Sequence, residues 1–312
     1  DVIHYHNISL IGGPKILEYG QGIKLYTMHE YWLICPTHVL YRFNRAPCTR
    51  PHCFLCSLTY KRPPQWWRYF GLLETTVKNV DAFITLSHFS KDMHYQMGLN
   101  VPIMNLPPFV PSAEDVLSTP EKQFEETLQE PYFLFVGRLE KLKGLQTLIP
   151  IFRHYRKAQL LIAGTGNYEP ELQQLANGSA NIRFLGFLPQ QQLQLLYRQA
   201  VAVIVPSLCF EILPLVVIES FREKTPVVLR NLGGMPEIIE ASGGGFVYNT
   251  EEELVAVMDR LLAEPSYRQK LGLRGYQAYQ QKWTPEAHLK LYFALIHEIS
   301  SAKRLRISQP NA

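Results

Sequence analysis

Arg138 and Lys143 stand five positions apart in the run Gly137-Arg138-Leu139-Glu140-Lys141-Leu142-Lys143-Gly144, which follows an apolar pentad and precedes a helical pattern. Two cations fixed between a strand end and a helix start suit a diphosphate. Hydrogen bonds to charged groups contribute about 1.5–3 kcal/mol each, and a helix N-terminus favours anions. A solvated basic turn is the plainer alternative. Glu211 and Glu219 bracket a second, otherwise apolar loop, Glu211-Ile212-Leu213-Pro214-Leu215-Val216-Val217-Ile218-Glu219. A helix entered at Leu213 would set the two carboxylates roughly 12 Å apart near one face, at about 1.5 Å per residue. One could then hold sugar hydroxyls and the other ribose hydroxyls, with the amides of the helix start toward phosphate. The competing assignment makes Glu211 a helix cap and leaves Glu219 in solvent. A third loop, Asn231-Leu232-Gly233-Gly234-Met235-Pro236-Glu237, has glycines that either let a ligand approach the backbone or simply turn the chain. Gly164-Thr165-Gly166 lacks the third glycine of a dinucleotide fingerprint and argues against a dehydrogenase.

These loops need strands behind them. From Tyr132 onward short apolar runs alternate with longer stretches of helical period. Strands are expected at 132–136, 159–163, 182–185, 201–205, 226–229 and 245–248, and helices at 144–155, 169–176, 190–199 and 213–223. That alternation means a parallel sheet covered by helices on both faces, a Rossmann-like domain whose ligands sit beyond the carboxyl ends of the strands. Thr250 and Glu253 form a capping box for a helix at 251–263, and Thr284-Pro285 opens another at 286–299. Upstream, residues 1–4, 24–28 and 82–86 read as buried strands of a second α/β domain, which looks incomplete because the chain begins inside it. The expected organisation is a partial N-terminal domain at 1–110, a proline-rich linker at 111–130, a C-terminal domain at 131–283 and a helix at 284–312 crossing back to the first domain.

The 312 residues are 46% hydrophobic with a formal net charge of +4, enough for two cores and too little charge to imply nucleic-acid binding. No apolar run approaches the roughly 20 residues of a membrane span, and no signal peptide is evident at Asp1, so a cytoplasmic protein is expected.

Taken together and in order, the motifs resemble the retaining glycosyltransferases of the family that includes phosphatidylinositol mannosyltransferases and sucrose-phosphate synthases. The set is Gly-Arg-Leu with Lys143-Gly144, the Glu-x7-Glu pair, Thr225-Pro226-Val227-Val228 and Gly233-Gly234-Met235-Pro236-Glu237. Thr27-Met28-His29-Glu30-Tyr31-Trp32 looks like the family's His-Asp-Tyr-Trp segment, and Ser87-His88-Phe89 like its next strand end. The resemblance implies a GT-B architecture, two Rossmann-like domains facing across a cleft, with the family's first strands and glycine-rich loop lying before Asp1. It implies no cofactor and no metal. The substrates would be a nucleoside diphosphate-sugar donor and a sugar or lipid-linked acceptor, in cell-wall or polysaccharide biosynthesis. Arg138 and Lys143 would take the diphosphate, Glu211 the sugar and Glu219 the ribose, with His29 beside the transferred sugar. Gly137, Gly164, Leu185, Gly186, Ile212, Leu213, Pro214 and Leu215 would line the donor. Ile212 replaces a common glycine, and Pro214 lacks a backbone donor, so the phosphate would meet fewer amides. An epimerase of the same architecture and a non-catalytic nucleotide-sugar binder are the alternatives.

Two features lie outside this pattern. Cys35, Cys48, Cys53 and Cys56 include one C-x2-C spacing, which suits a zinc-stapled loop, although one close pair fits free thiols in an irregular loop better. The latter is expected; the former would suit a metal-stapled interaction protein. Lys61 to Phe70 mixes basic and bulky aromatic residues, as peripheral membrane contacts at the inner face do, or as aromatics packing a domain do. Lys303, Arg304 and Arg306 read as a frayed, solvated end.

Overall fold

The computed structural model describes residues 1–112 and 130–308, with side chains to residue 304, so the expected linker lies almost wholly outside the described residues. The chain divides into two compact units, Asp1–Pro108 with Pro285–Ala312, and Phe109–Thr284.

The second unit holds six parallel strands: β5 (Tyr132–Val136), β6 (Gln159–Ala163), β7 (Ile182–Gly186), β8 (Ala202–Val205), β9 (Val227–Arg230) and β10 (Gly245–Tyr248). Their spatial order is β10-β9-β8-β5-β6-β7. The chain starts at β5, winds outward through β6 and β7, then returns to the other side of β5 at β8. The strand order therefore reverses between β5 and β8, and in such sheets ligands bind at the carboxyl ends of the strands around that reversal. Strands such as Phe133, Leu134, Leu160, Leu161, Val203 and Ile204 are fully buried, because helices cover both faces of the sheet. Two clusters result, one on each face. The first is centred on Phe133, Phe152 and Ile162, the second on Leu134, Tyr197, Ile218 and Phe221. Val110 belongs to this unit, since its N–H donates to Trp283 O at 3.0 Å and it is buried with the second cluster. The boundary thus falls two residues before the expected linker.

The first unit has four parallel strands in the order β1-β2-β3-β4, namely Val2–His6, Ile23–Thr27, Ala82–Thr85 and Ile103–Asn105. The last was not expected; at three residues, set between Pro102 and Pro107, it offers no periodicity to read. The C-terminal helix, Pro285–Ser308, packs on this sheet. Tyr292, Leu295, Ile296 and Ile299, spaced as one helical stripe, meet Ile23, Leu25, Ala82 and Ile84. Lys303 is not a frayed cation: its Nζ donates to Gly22 O at 2.7 Å and pairs with Asp81 at 2.7 Å.

All five cysteines are free, and among the described residues no group of three or more His, Cys, Asp or Glu side chains is arranged to hold a metal ion. Cys53 and Cys56 lie in a short helix, α1 (Cys53–Thr59), where an irregular loop was expected. Cys56 Sγ accepts the Phe43 N–H at 3.4 Å, which ties the preceding turn to that helix.

Candidate active site

Five loops leave the carboxyl ends of β5 to β9, and their backbones lock together. Gly137 N–H donates to Ala163 O, Leu139 N–H to Thr165 O, and Tyr168 N–H back to Leu139 O. Gly164 N–H reaches Gly186 O at 2.7 Å, and Leu208 N–H reaches Leu142 O at 2.8 Å. Glycine is required where these backbones cross. A Cβ on Gly144, at φ +82°, would fall 1.9 Å from Pro206 O, and one on Gly164 would fall 1.9 Å from Gly137 O. The loops after β5 and β8, on either side of the strand reversal, are thus in direct backbone contact.

Within this frame Lys143 and Glu211 meet. Lys143 Nζ donates to Glu211 Oε1 at 2.7 Å, and the two side chains are 23% and 14% exposed. Ser207 Oγ donates to the same oxygen at 2.7 Å, and the Cys209 thiol lies 3.9 Å from it. The bonds converge on Oε1. Burial works to lower the Lys143 pKa, but the Glu211 carboxylate outweighs it and raises the ammonium above its ordinary range. Burial, with the nearby Glu211 charge, lifts the Cys209 thiol to about 12, so it is no nucleophile at neutral pH.

Glu211 does not lie on a helix. The helix (α7) spans Leu215–Arg222 with Pro214 as its N-cap, whereas entry at Leu213 was expected. Glu211 therefore sits on the connecting loop and caps nothing. Because Pro214 precedes the first turn, its missing N–H costs that turn no donor, and the amides of Leu215 and Val216 remain as the leading donors. The loop at Gly233-Gly234 explains how Glu211 is held. Gly234 N–H donates to Glu211 O at 3.0 Å, and Gly233, at φ +65°, lies so near that a Cβ would stand 3.0 Å from Glu211 N and O. The close approach permitted by these glycines is to Glu211 itself.

Glu219 is one turn inside α7, half-buried, and accepts the Tyr197 hydroxyl at 2.7 Å. It is not a bare solvated carboxylate. Arg138 is the most accessible of the predicted residues, its side chain 75% exposed and paired with Glu140 at 2.8 Å. Leu185 and Gly186 end β7, and Ile212 is buried beneath the loop while Leu215 is exposed at the helix start. The structure thus gathers Lys143, Glu211, Gly137, Gly164 and the 212–215 segment around one strand reversal. It sets Arg138 at the rim and Glu219 one turn deeper. Sequence reasoning missed Ser207, Tyr197 and Gly166, whose Cβ would fall 2.3 Å from Leu139 O. Ser207 and Gly166 stand in the motif loops, which could have signalled them, whereas Tyr197 lies 22 residues from Glu219 and gave no signal.

His29 belongs to the first unit, in the bend after β2. Its Nε2 lies 2.8 Å from His6 Nδ1 at the end of β1, with the rings stacked. The surrounding atoms, then the His6 ring, hold the His29 pKa below its ordinary value, with Glu30 pulling the other way. His6 is lowered likewise by burial. The pair therefore shares one proton between facing nitrogens when both rings are neutral. Glu30 is occupied elsewhere, accepting Ser9 Oγ at 2.5 Å and His38 Nδ1 at 2.9 Å.

A family model described as "Glycosyl transferases group 1" matches residues 118–278, more than half of the chain. The chain is a member of that family. Among curated relatives, an uncharacterized glycosyltransferase of Methanocaldococcus jannaschii is 34% identical over 148 residues, 45% of this chain and 38% of that protein. A GDP-mannose-dependent monoacylated alpha-(1-6)-phosphatidylinositol monomannoside mannosyltransferase of Corynebacterium glutamicum is 29% identical over 190 residues, 57% of this chain and 50% of that protein. The chain thus spans half or less of these two relatives. Among solved structures, sucrose-phosphate synthase of Thermosynechococcus elongatus superposes with a TM-score of 0.72 at 20% identity, covering 96% of this chain and 74% of that one. Anabaena HepE in complex with UDP-glucose gives 0.70 at 15% identity, covering 95% and 78%. Such likeness establishes the fold, an α/β, parallel-sheet architecture of the GT-B class.

Proposed function

We propose that this chain transfers a sugar from a nucleoside diphosphate-sugar to an acceptor hydroxyl, with retention of anomeric configuration and without a metal ion. The observation that carries the proposal is the convergence of Lys143, Ser207 and Glu211 at the strand reversal, with Arg138 at its rim. Arg138 and Lys143 take the diphosphate, and the leading amides of α7 support it. Glu211 and Glu219 hold sugar and ribose hydroxyls. The bond from the anomeric carbon to the diphosphate oxygen breaks, and the acceptor oxygen bonds to the same face of that carbon. The acceptor proton passes to the departing diphosphate oxygen. Two cations disperse the leaving group's charge, a role a divalent ion fills in other transferases. The acceptor is a sugar or lipid-linked glycan of polysaccharide or cell-wall synthesis, and the setting is cytoplasmic. HepE was solved with UDP-glucose and the C. glutamicum relative is named for GDP-mannose, so both nucleotides belong in the test.

The test is calorimetric titration of this chain with nucleoside diphosphates and their sugars, without added metal, alongside its Arg138→Ala and Glu219→Ala variants. One nucleotide should bind, and each variant should weaken it by about 1.5 kcal/mol or more. A folded chain that binds none refutes the donor site. Product analysis with an acceptor then separates transfer from epimerisation and from binding without turnover.

A further inference from the structure

The first unit turns an apolar face outward. Phe54, Leu55 and Leu58 lie within about 100° of arc on helix α1, the width of the stripe a surface helix normally buries, yet here they point to solvent. Beside them stand Trp66, Tyr69 and Phe70, and all six are between 41% and 79% exposed. The Phe54 and Trp66 rings are 5.9 Å apart and those of Trp66 and Tyr69 6.3 Å, so the helix and the 66–70 turn form one continuous patch. It is held rigidly. Arg68 donates to Gln65 Oε1 at 2.6 Å, to Leu33 O at 2.9 Å and to Trp32 O, and its guanidinium lies 4.3 Å from the Trp67 ring. Next to Tyr69 a cavity of about 420 Å³ opens, walled by Leu33, Leu73, Val77 and Leu99.

Within the chain segment that carries this patch the charge has one sign, while Glu74 and Lys78 together line the adjoining cavity. Between Glu30 and Glu74 the chain carries Arg42, Arg45, Arg50, Lys61, Arg62 and Arg68 and no aspartate or glutamate. Arg68 is consumed internally, but Arg45, Arg50, Lys61 and Arg62 are exposed. Lys61 and Arg62 flank the end of α1, where their N–H groups bond Leu58 O and Ser57 O, and Phe43, beside Arg42, bonds Cys56 within it. Among the described residues no helix is long and apolar enough to cross a membrane.

We propose that this face docks on an anionic lipid bilayer, with the aromatic and aliphatic side chains entering the interface and the surrounding cations lying against lipid phosphates. Apolar burial and attraction to anionic lipid act together in such contacts, each surface cation contributing roughly fivefold in partition. The acceptor class follows from the glycosyl-transfer proposal: a hydroxyl carried on a lipid, whose chain the cavity beside Tyr69 can receive. Docking itself needs no turnover and is measured independently of it.

The experiment is flotation of this chain with phosphatidylcholine vesicles with and without phosphatidylglycerol, at low and high salt. Lys61→Glu/Arg62→Glu and Trp66→Ser/Phe70→Ser variants run in parallel, and nucleoside diphosphate binding to each serves as a check that the second unit is intact. Capture by anionic vesicles alone is expected, weakened by salt. The charge-reversed variant should lose at least roughly 30-fold in partition and the aromatic variant at least tenfold, with nucleotide binding unchanged. Failure to float with anionic vesicles overturns the proposal. So does flotation unaffected by both variants, concentration-dependent self-association that the Trp66→Ser/Phe70→Ser change abolishes, or preferential binding to RNA through the same cations. Flotation without nucleotide binding would uphold docking while refuting the donor site.

Discussion

If Lys143 and Glu211 are the working core of the donor site, their charges must be coupled in the ligand-free protein, and the coupling can be measured. At 2.7 Å two unit charges attract by about 6 kcal/mol at an effective dielectric constant of 20 and by about 1.5 kcal/mol in water. The side chains are only 23% and 14% exposed, so the attraction lies nearer the first figure, while desolvation of both ions offsets much of it. A net coupling of about 2 kcal/mol is expected. Urea unfolding of the wild type, Lys143→Met, Glu211→Gln and the double variant gives that quantity directly. Lys143→Met should cost about 3 kcal/mol, because it leaves a mostly buried carboxylate with only Ser207 and Cys209 beside it. The double variant should be about 2 kcal/mol more stable than the sum of the singles predicts. The same four proteins test the division of labour. Lys143→Met should lose affinity for nucleoside diphosphate and nucleotide-sugar alike, whereas Glu211→Gln should retain the diphosphate and lose the added affinity conferred by the sugar. A coupling below about 0.5 kcal/mol, or a Glu211→Gln variant that loses the diphosphate as badly as Lys143→Met, would refute the reasoning.

Three further outcomes are expected. Arg138→Ala, at a side chain 75% exposed, should leave the urea midpoint nearly unchanged yet weaken nucleoside diphosphate binding by about tenfold or more. Gly144→Ala should destabilise by about 3 kcal/mol or more, since its Cβ would meet Pro206 O at 1.9 Å at φ +82°. Gly243→Ala, at φ +59° with only Arg274 Cδ at 3.5 Å, should cost about 1 kcal/mol, and equal costs at the two sites would show that the loop interlock is not tight. Stability should fall on acidification because of His94, which is fully buried, donates from Nδ1 to Ser90 O at 2.7 Å and is held by burial down to a pKa of about 4. The unfolded chain takes up that proton near pH 6.5, so stability is full above 6.5 and up to roughly 3 kcal/mol is lost as pH falls to 4. Urea midpoints at pH 7.5, 5.5 and 4.5 should show this, and His94→Leu should flatten the slope.

The β/α alternation of the second unit was legible because its strands are buried on both faces and read as unbroken apolar runs; 132–136, 159–163 and 245–248 needed no correction. Helix starts were less legible where proline intervened. Pro214 was assigned inside α7 although it caps it, so the expected helix began at Leu213, two residues early. The motif glycines were visible as glycines, but their reason was not. Whether Gly233 meets a ligand or the Glu211 backbone depends on which loop lies opposite, and strand order alone decides that. His6 carried no signal at all. It faces His29 because β1 and β2 are register neighbours, with His6 opposite Thr27.

The C-terminal helix has a consequence for how the chain is made. The first unit's sheet is contributed by residues before 108, yet the apolar stripe that covers Ile23, Leu25, Ala82 and Ile84 arrives only with Tyr292, Leu295, Ile296 and Ile299. Of these two units, the one entered first during synthesis is therefore completed only after the other. The second unit, continuous from 109 to 284, can reach its native state on the ribosome while its neighbour still lacks the helix that covers its sheet. Premature termination near residue 285 should yield a chain that holds nucleotide well but aggregates through its other half.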